Sequence, residues 1–353
     1  MMNDTRDPEL KLTAFAHGGG CGCKVGPGLL AQILGKGLQA MPVPKELLVG
    51  LETSDDAAVY QINEHQALVA TIDFFTPIVD DPFDFGRIAA TNALSDVYAM
   101  GARPLLALAV VGMPIDRLPA AVIARILEGG QAVCASVGIP IAGGHTIDTA
   151  EPIYGLVVIG LVVPDQIKRN SGALAGDQLI LGKPLGVGVM TAAIKRGELD
   201  AAGYQRLLAQ TTQLNTPGQH LGAWPGVHAL TDVTGFGLLG HLLEVCRGAR
   251  LTARIEHAAI PLIPGSRALL ERGNVTGASR RNWEAYGDAV DFVGGIEPAW
   301  QALLTDPQTS GGLLVACKPA SVEGVLALFR AEGFADVAVI GTLESGPARV
   351  RVT

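Results

Sequence analysis

Residues 71–104 read TIDFFTPIVDDPFDFGRIAATNALSDVYAMGARP, and they decide how the first half of the chain folds. Their opening closes the run ALVATIDFF, residues 67–75, whose β-branched and aromatic content predicts a strand. Asp81 is placed to cap a helix, Pro82 suits its first turn, and Gly101 with Pro104 ends it. PLLALAVVGM, residues 104–113, reads as the next strand. Strand, helix and strand in close succession predict a sheet with a helix laid on it. On that helix Asn92 and Asp96 are four residues apart and share a face, among the apolar Ala89, Ala93, Leu94 and Val97.

The neighbouring segments follow the same pattern. Residues 28–38 predict a short helix, 57–62 a strand, 119–138 a helix, 139–148 a strand running into a turn, and 151–163 a strand. Residues 163–177, VPDQIKRNSGALAGD, are polar and rich in turn formers, and a domain boundary is expected there. This divides the chain into residues 1–165 and 166–353. The second half alternates strand and helix, from DQLILGKPLG at 177–186 to ADVAVIGTL at 335–343. The expected class is α+β, with sheets covered by helices in each half.

Composition narrows the function. A chain of 353 residues with 48% hydrophobic and 17% charged residues builds two cores and is not disordered. The net charge of -8 and the lack of a basic tract argue against nucleic acid as the main ligand. The longest apolar runs contain glycine and fall short of the roughly 18 residues of a membrane span. Residues 1–13 lack a signal-peptide core, and five irregularly spaced cysteines form no disulfide framework, so a cytoplasmic location is expected. The acidity is local: residues 52–96 hold nine Asp or Glu against one basic residue, Arg87.

Several of the chain's aspartates sit where solvation is difficult. Asp55 and Asp56 precede a strand, Asp73 ends an apolar one, Asp96 lies on an apolar helix, and Asp232 stands between a strand and a glycine turn. An aspartate at a strand end usually caps a turn, and one on a helix usually faces water. Taken together, with neighbouring glycines, they point instead to a hard cation such as Mg2+, which takes few carboxylates plus substrate phosphates. Glycine turns at AGGHT (142–146), TGFGLLG (234–240) and TSGGLL (309–314) offer backbone N–H groups to phosphate. Neither the Walker pattern nor the dinucleotide fingerprint fits them.

Residues 17–24, HGGGCGCK, put two thiols on a segment with four glycines, costly to hold still. Cys21 and Cys23 could be a redox pair, a soft-metal site with His17, or one working thiol with a bystander. Lys24 would favour a thiolate and attract phosphate. Cys134, Cys246 and Cys317 lie in apolar segments and read as core.

HGGGCGCK, LETSDDAAVY (51–60), residues 71–101, AGGHTID (142–148), TDVTGFGLLGHL (231–242) and DPQTSGGLL (306–314) together resemble the selenophosphate synthetase family, in its order and over most of the chain. The resemblance implies synthesis of selenophosphate from ATP, selenide and water, with release of AMP and phosphate. It implies a two-domain fold of the aminoimidazole ribonucleotide synthetase superfamily, with a strand-rich N-terminal dimerisation half. By motif, Cys21 and Lys24 match catalytic positions, and Asp56, Asp96 and Asp232 match Mg2+ ligands. Lys24, Thr53, Ser54, Asp55, Asp73 and Asp96 match nucleotide-site positions. Gly144, His145 and Thr146 match a segment that reaches nucleotide across the dimer. Selenium-delivery and selenophosphate-using proteins are the implied partners. The alternatives are a sister ATP enzyme with another acceptor, and a thiol metal-binding or redox module.

Overall fold

In the computed structural model, residues 10–26, 29–30, 33, 43–50 and 54–353 are described. Thr53 and most of the helix expected at 28–38 lie outside them. The first half contains β1 (Leu47–Val49), β2 (Ala58–Asn63), β3 (Gln66–Phe75), β4 (Arg103–Met113), β5 (Ile141–Asp148) and β6 (Ile153–Val162). They form one sheet in the order β1-β2-β3-β6-β4-β5, antiparallel throughout except for the parallel pair β4 and β5. β3 alternates buried and less buried residues along its length, so one face meets the core and the other does not.

The helix Pro82–Ala99 covers the buried face. Asp81 accepts a hydrogen bond from the Asp84 amide at 3.0 Å, as its capping position predicts. Its partner, the helix Ala120–Ser136, packs very close, because a Cβ on Gly86 would stand 1.9 Å from the Ile126 carbonyl oxygen and one on Gly129 would stand 2.1 Å from that of Phe83. The helix Pro82–Ala99 also touches the second half, through β8 (Val227–Asp232) and the helices Ala201–Thr211 and Pro217–Gly222. It is the beam that joins the two halves at the site. One side of it rests on β3 and β6, another on residues more than 100 positions later.

The second half holds a seven-stranded sheet. With β7 (Gln178–Leu181), β9 (Leu251–Ile255), β10 (Val290–Phe292), β11 (Leu313–Cys317), β12 (Ala338–Ser345) and β13 (Arg349–Val352), the order is β10-β13-β9-β12-β7-β11-β8. β7, β11 and β8 are almost wholly buried, which is why they read as continuous apolar runs. Cys134, Cys246 and Cys317 are buried, as their apolar segments predict. Two expectations are corrected. Residues 142–146 are not a glycine turn: the strand β5 runs through them and pairs with β4, so their N–H groups are not gathered into a phosphate cradle. The short helices Ser266–Glu271, Gly277–Tyr286 and Pro298–Leu304 and the strands β10 and β13 stand where the sequence pattern predicts no element. Each spans ten residues or fewer, too short for a period to show.

Candidate active site

The fold brings three aspartates from three separate elements together. Asp56 sits just before β2, Asp96 on the helix Pro82–Ala99, and Asp232 at the end of β8; one carboxylate oxygen of each lies within 4.8 Å of the other two. Among the described residues this is the group of His, Cys, Asp or Glu able to hold a metal ion. Hydroxyls orient it: Thr231 Oγ1 donates to Asp56 at 2.9 Å and Thr71 Oγ1 to Asp96 at 2.5 Å. Ser95 hydrogen-bonds Asp232, and its own oxygen accepts from Asn215 Nδ2 at 2.7 Å.

Burial raises the pKa of Asp56, Asp96 and Asp232; repulsion from neighbouring carboxylates comes next at Asp56 and Asp96, while Ser95, His241 and Lys24 oppose the rise at Asp232. Asp56 Oδ2 and Asp232 Oδ2 are buried and have no hydrogen-bond partner among the described residues. Buried carboxylate oxygens without partners are costly, and a cation is the ordinary remedy. An all-oxygen donor set with two open ligand atoms fits Mg2+ and suits neither zinc nor copper.

The glycine loop closes over this cluster. Gly20 N donates to Thr76 O at 2.9 Å and Cys21 N to Thr309 Oγ1 at 3.0 Å. Cys21 is 1% exposed, and its thiol donates to Asn92 Oδ1 at 3.2 Å. Asn92 is the hub: its Oδ1 also accepts from Ser310 N at 2.7 Å, and its Nδ2 donates to Asp73 at 2.5 Å. Lys24 Nζ reaches Asp73 at 3.2 Å. Burial opposes the charge on Lys24, but Asp73, Cys21, Asp96 and Asp232 together hold its pKa well above the ordinary lysine value.

The expectation that Lys24 would make a thiolate of Cys21 is corrected. Burial, aided by Asp73, Cys23 and Asp232, outweighs Lys24 and pushes the thiol pKa up, which favours the protonated thiol with the loop closed. Nor does His17 join the thiols: its Nδ1 lies 2.6 Å from Glu151. Ser54 and Asp55 adjoin the cluster in sequence and bind Asn170, whose backbone amide donates to Asp55 Oδ1 at 2.6 Å and whose Nδ2 donates to Ser54 O at 3.0 Å. Gly144, His145 and Thr146 are exposed on β5, with β4 and β6 between them and β3, and do not join the cluster within one chain.

Sequence reasoning missed the polar props: Thr71, Ser95, Thr231, Thr309 and Ser310. Small hydroxyl residues carry no period or charge to mark them. It also missed Lys183, 2% exposed, which donates to Gln213 O at 2.6 Å and Ser310 O at 2.9 Å. Burial lowers its pKa to about 7. Its signal was available: a lysine inside the apolar run DQLILGKPLG.

Asp306 braces the same region. Its Oδ2 accepts from Val189 N at 3.1 Å and Gln308 Nε2 at 3.0 Å, at the start of the helix Val187–Lys195, and burial raises its pKa to about 7. A carboxyl with a raised folded-state pKa contributes stability that is full below its unfolded value and is lost as pH rises through the folded value. The melting-temperature gap between wild type and Asp306→Asn is therefore expected to move in the variant's favour from pH 4 to pH 7. A constant gap in metal-free thermal scans would contradict this.

Comparison with known proteins places the fold. Two family models match, the AIR synthase related protein N-terminal domain over residues 54–162 and the C-terminal domain over residues 175–353. The fold and the site thus define the class as AIR synthase related. Solved structures of this fold include a thiamine-monophosphate kinase from Stenotrophomonas maltophilia, with 22% identity, a TM-score of 0.62 and coverage of 87% of this chain and 91% of that one. The hydrogenase maturation protein HypE matches at 20% identity with a TM-score of 0.66, covering 86% and 90%. The selenide, water dikinase of Burkholderia ambifaria is 64% identical over 342 residues, 97% of this chain and 96% of its own length. That of Rhizobium meliloti is 53% identical over 343 residues, 97% and 98%. The chain belongs to the selenide, water dikinase family.

Proposed function

We propose that this chain makes selenophosphate from ATP, selenide and water, releasing AMP and phosphate, where the Cys21–Lys24 loop meets Asp56, Asp96 and Asp232. The observation that carries the reading is the meeting itself: one glycine-rich segment sets a thiol and an ammonium beside three converging carboxylates with two open oxygens. ATP brings about four negative charges that this acidic pocket would repel without a cation. Mg2+ bound by Asp56, Asp96 and Asp232 would neutralise triphosphate oxygens there. Thr53, Ser54 and Asp55 are proposed nucleotide contacts, with Asp73 supporting.

The chain's own groups then divide the work. Asp73 parks the Lys24 ammonium at the loop's edge, from which it can turn to the transferred phosphoryl group and offset its developing charge. Closure buries Cys21 and excludes water from the first transfer. Opening removes the burial that keeps the thiol protonated, so the sulfur becomes reactive where selenide enters. The glycines let the same sulfur occupy both places. Release of AMP requires water at the second step, so the loop sets the order of events.

The active form is proposed to be a homodimer. Tyr60, Ile72, Phe74, Leu108 and Ile147 are exposed apolar residues of the first sheet, and among the described residues β5 ends that sheet with an unpaired edge. A second copy there would bring its Gly144, His145 and Thr146 toward nucleotide. Sedimentation equilibrium showing a monomer would remove this part. For the reaction, phosphorus NMR of protein, Mg2+, ATP and anaerobic selenide is expected to show selenophosphate and phosphate with AMP. ADP as the final nucleotide would overturn the assignment.

A further inference from the structure

A cavity of about 670 Å3 lies beyond the glycine loop from the carboxylates. Cys21, Asn92 and the four aspartates do not line it; Lys24 and Thr309 are the site residues shared with it. Its wall carries Lys195, Arg196 and Arg281 as well as His17, and no Asp or Glu. That is notable in a chain of net charge -8. Thr276 caps the ten-residue helix Gly277–Tyr286, and the first residues of that helix, Gly277 and Ala278, lie in the wall, adding its positive end to the side-chain charges.

The hydrogen bonds of these cations go to neutral groups, although Glu151, which binds His17 at 2.6 Å, and Asp80 also act electrostatically on Lys195. Lys195 Nζ donates to Ala16 O at 3.3 Å and Gly18 O at 2.9 Å, and Arg281 Nη2 to Gly22 O at 2.9 Å. Gly18 and Gly22 flank Cys21, so the two cations grip the catalytic loop on both sides of its thiol. Arg196 Nη1 donates to Asn274 Oδ1 at 3.5 Å. Among the described residues no carboxylate forms an ion pair with Lys195, Arg196 or Arg281. A doubly charged oxyanion makes roughly twice as strong a hydrogen bond to such groups as a neutral carbonyl does, and arginine can meet it with two N–H groups.

We propose that this cavity binds a phosphate-class oxyanion, and that the bound anion competes with the carbonyls of Ala16, Gly18 and Gly22 for Lys195 and Arg281, releasing the loop. The site goes beyond the reaction assigned above and needs neither selenide nor Mg2+. Its volume is ordinary for a small-molecule pocket and exceeds what one inorganic ion needs. Ile78, Ala192 and Val275 give it an apolar flank that would suit the organic part of a phosphomonoester. The shared chemistry is a terminal phosphate, either free phosphate from the reaction or a phosphorylated metabolite.

The test uses the full chain in buffer with chelator and no Mg2+, titrated calorimetrically with inorganic phosphate and, separately, with glycerol phosphate. Saturable binding is expected, weakened at least tenfold in Arg281→Gln and in Arg196→Gln and persisting in Asp96→Asn. Circular dichroism checks that each variant is folded, and two arginines guard against failure of either one. Tighter phosphate binding points to the reaction's own product, and tighter glycerol phosphate binding to a metabolite; both support the site. In parallel, mass spectrometry follows alkylation of Cys21 by iodoacetamide. Phosphate is expected to speed it several-fold in wild type and not in Arg281→Gln. No saturable binding at millimolar phosphate, binding lost in Asp96→Asn but kept in both arginine variants, or an unchanged alkylation rate would overturn the proposal. Selenophosphate formation is measured separately by phosphorus NMR, so failure here leaves the reaction assignment standing.

Discussion

Cys21→Ser is expected to lower selenide-dependent AMP formation by at least about a thousandfold while Mg·ATP affinity changes by less than about threefold. The split follows from where the sulfur sits. Its nearest polar partner is Asn92 Oδ1 at 3.2 Å, and it is not one of the carboxylates that would hold the metal. Serine keeps the hydrogen bond and the loop's contacts with Thr76 and Thr309, so closure and nucleotide binding should survive. What disappears is a soft, polarisable atom that becomes a thiolate once the loop opens, and the serine hydroxyl ionises far too weakly to replace it. Steady-state AMP release and equilibrium nucleotide titration on the same preparation separate the two quantities. Loss of nucleotide affinity comparable to the loss of turnover would remove Cys21 from the transfer step and make it a structural residue.

The second large effect belongs to Asp96→Asn, and it has two opposite parts. Asp96 is crowded: burial, Asp232 and Asp73 raise its pKa, with only Lys24 and the Thr71 hydroxyl opposing them. An uncharged isostere relieves that repulsion and keeps an oxygen for Thr71. The metal-free variant should therefore melt higher than metal-free wild type, as expected where a site stores unfavourable charge for function. With Mg2+ and ATP the order reverses. Loss of one of three carboxylates is expected to weaken Mg2+-dependent ATP binding by at least about 100-fold, since even residues behind a metal ligand commonly contribute 10- to 100-fold. Wild type then gains thermal stability from ligand that the variant does not. Thermal scans with and without Mg·ATP test both halves. Unchanged metal dependence would remove Asp96 from the site, and a lower metal-free melting point would show that its charge is already compensated.

Part of this architecture is legible in the sequence because local physics dominates it. The helix Pro82–Ala99 announces itself through a capping aspartate, a first-turn proline and a terminating glycine, all acting within a few residues. β3 and β6 are legible from side-chain type, and the buried strands β7, β8 and β11 from unbroken apolar runs. Asp73, Asp96 and Asp232 stand out because a carboxylate inside an apolar element demands a reason. The turn reading of residues 142–146 fails for a nonlocal reason: two glycines favour a turn in isolation, but pairing with β4 carries the extended backbone straight through them. The short helices of the second half fail because each has too few turns for a period to show.

The amino-acid order by itself determined which groups are available: a glycine-rich arm bearing thiols and a lysine, misplaced carboxylates, and elements with strong start and stop signals. Those are properties of neighbouring residues, written at short range. Only the tertiary structure decided that Asp56, Asp96 and Asp232 face one another, that Asn92 ties Cys21 to Asp73 and Ser310, and that burial pushes the Cys21 thiol toward its protonated form. Convergence depends on contacts between residues as much as 288 positions apart, as for Cys21 and Thr309. The charge state of a thiol depends on how much water the whole fold removes from around it, which no stretch of sequence records.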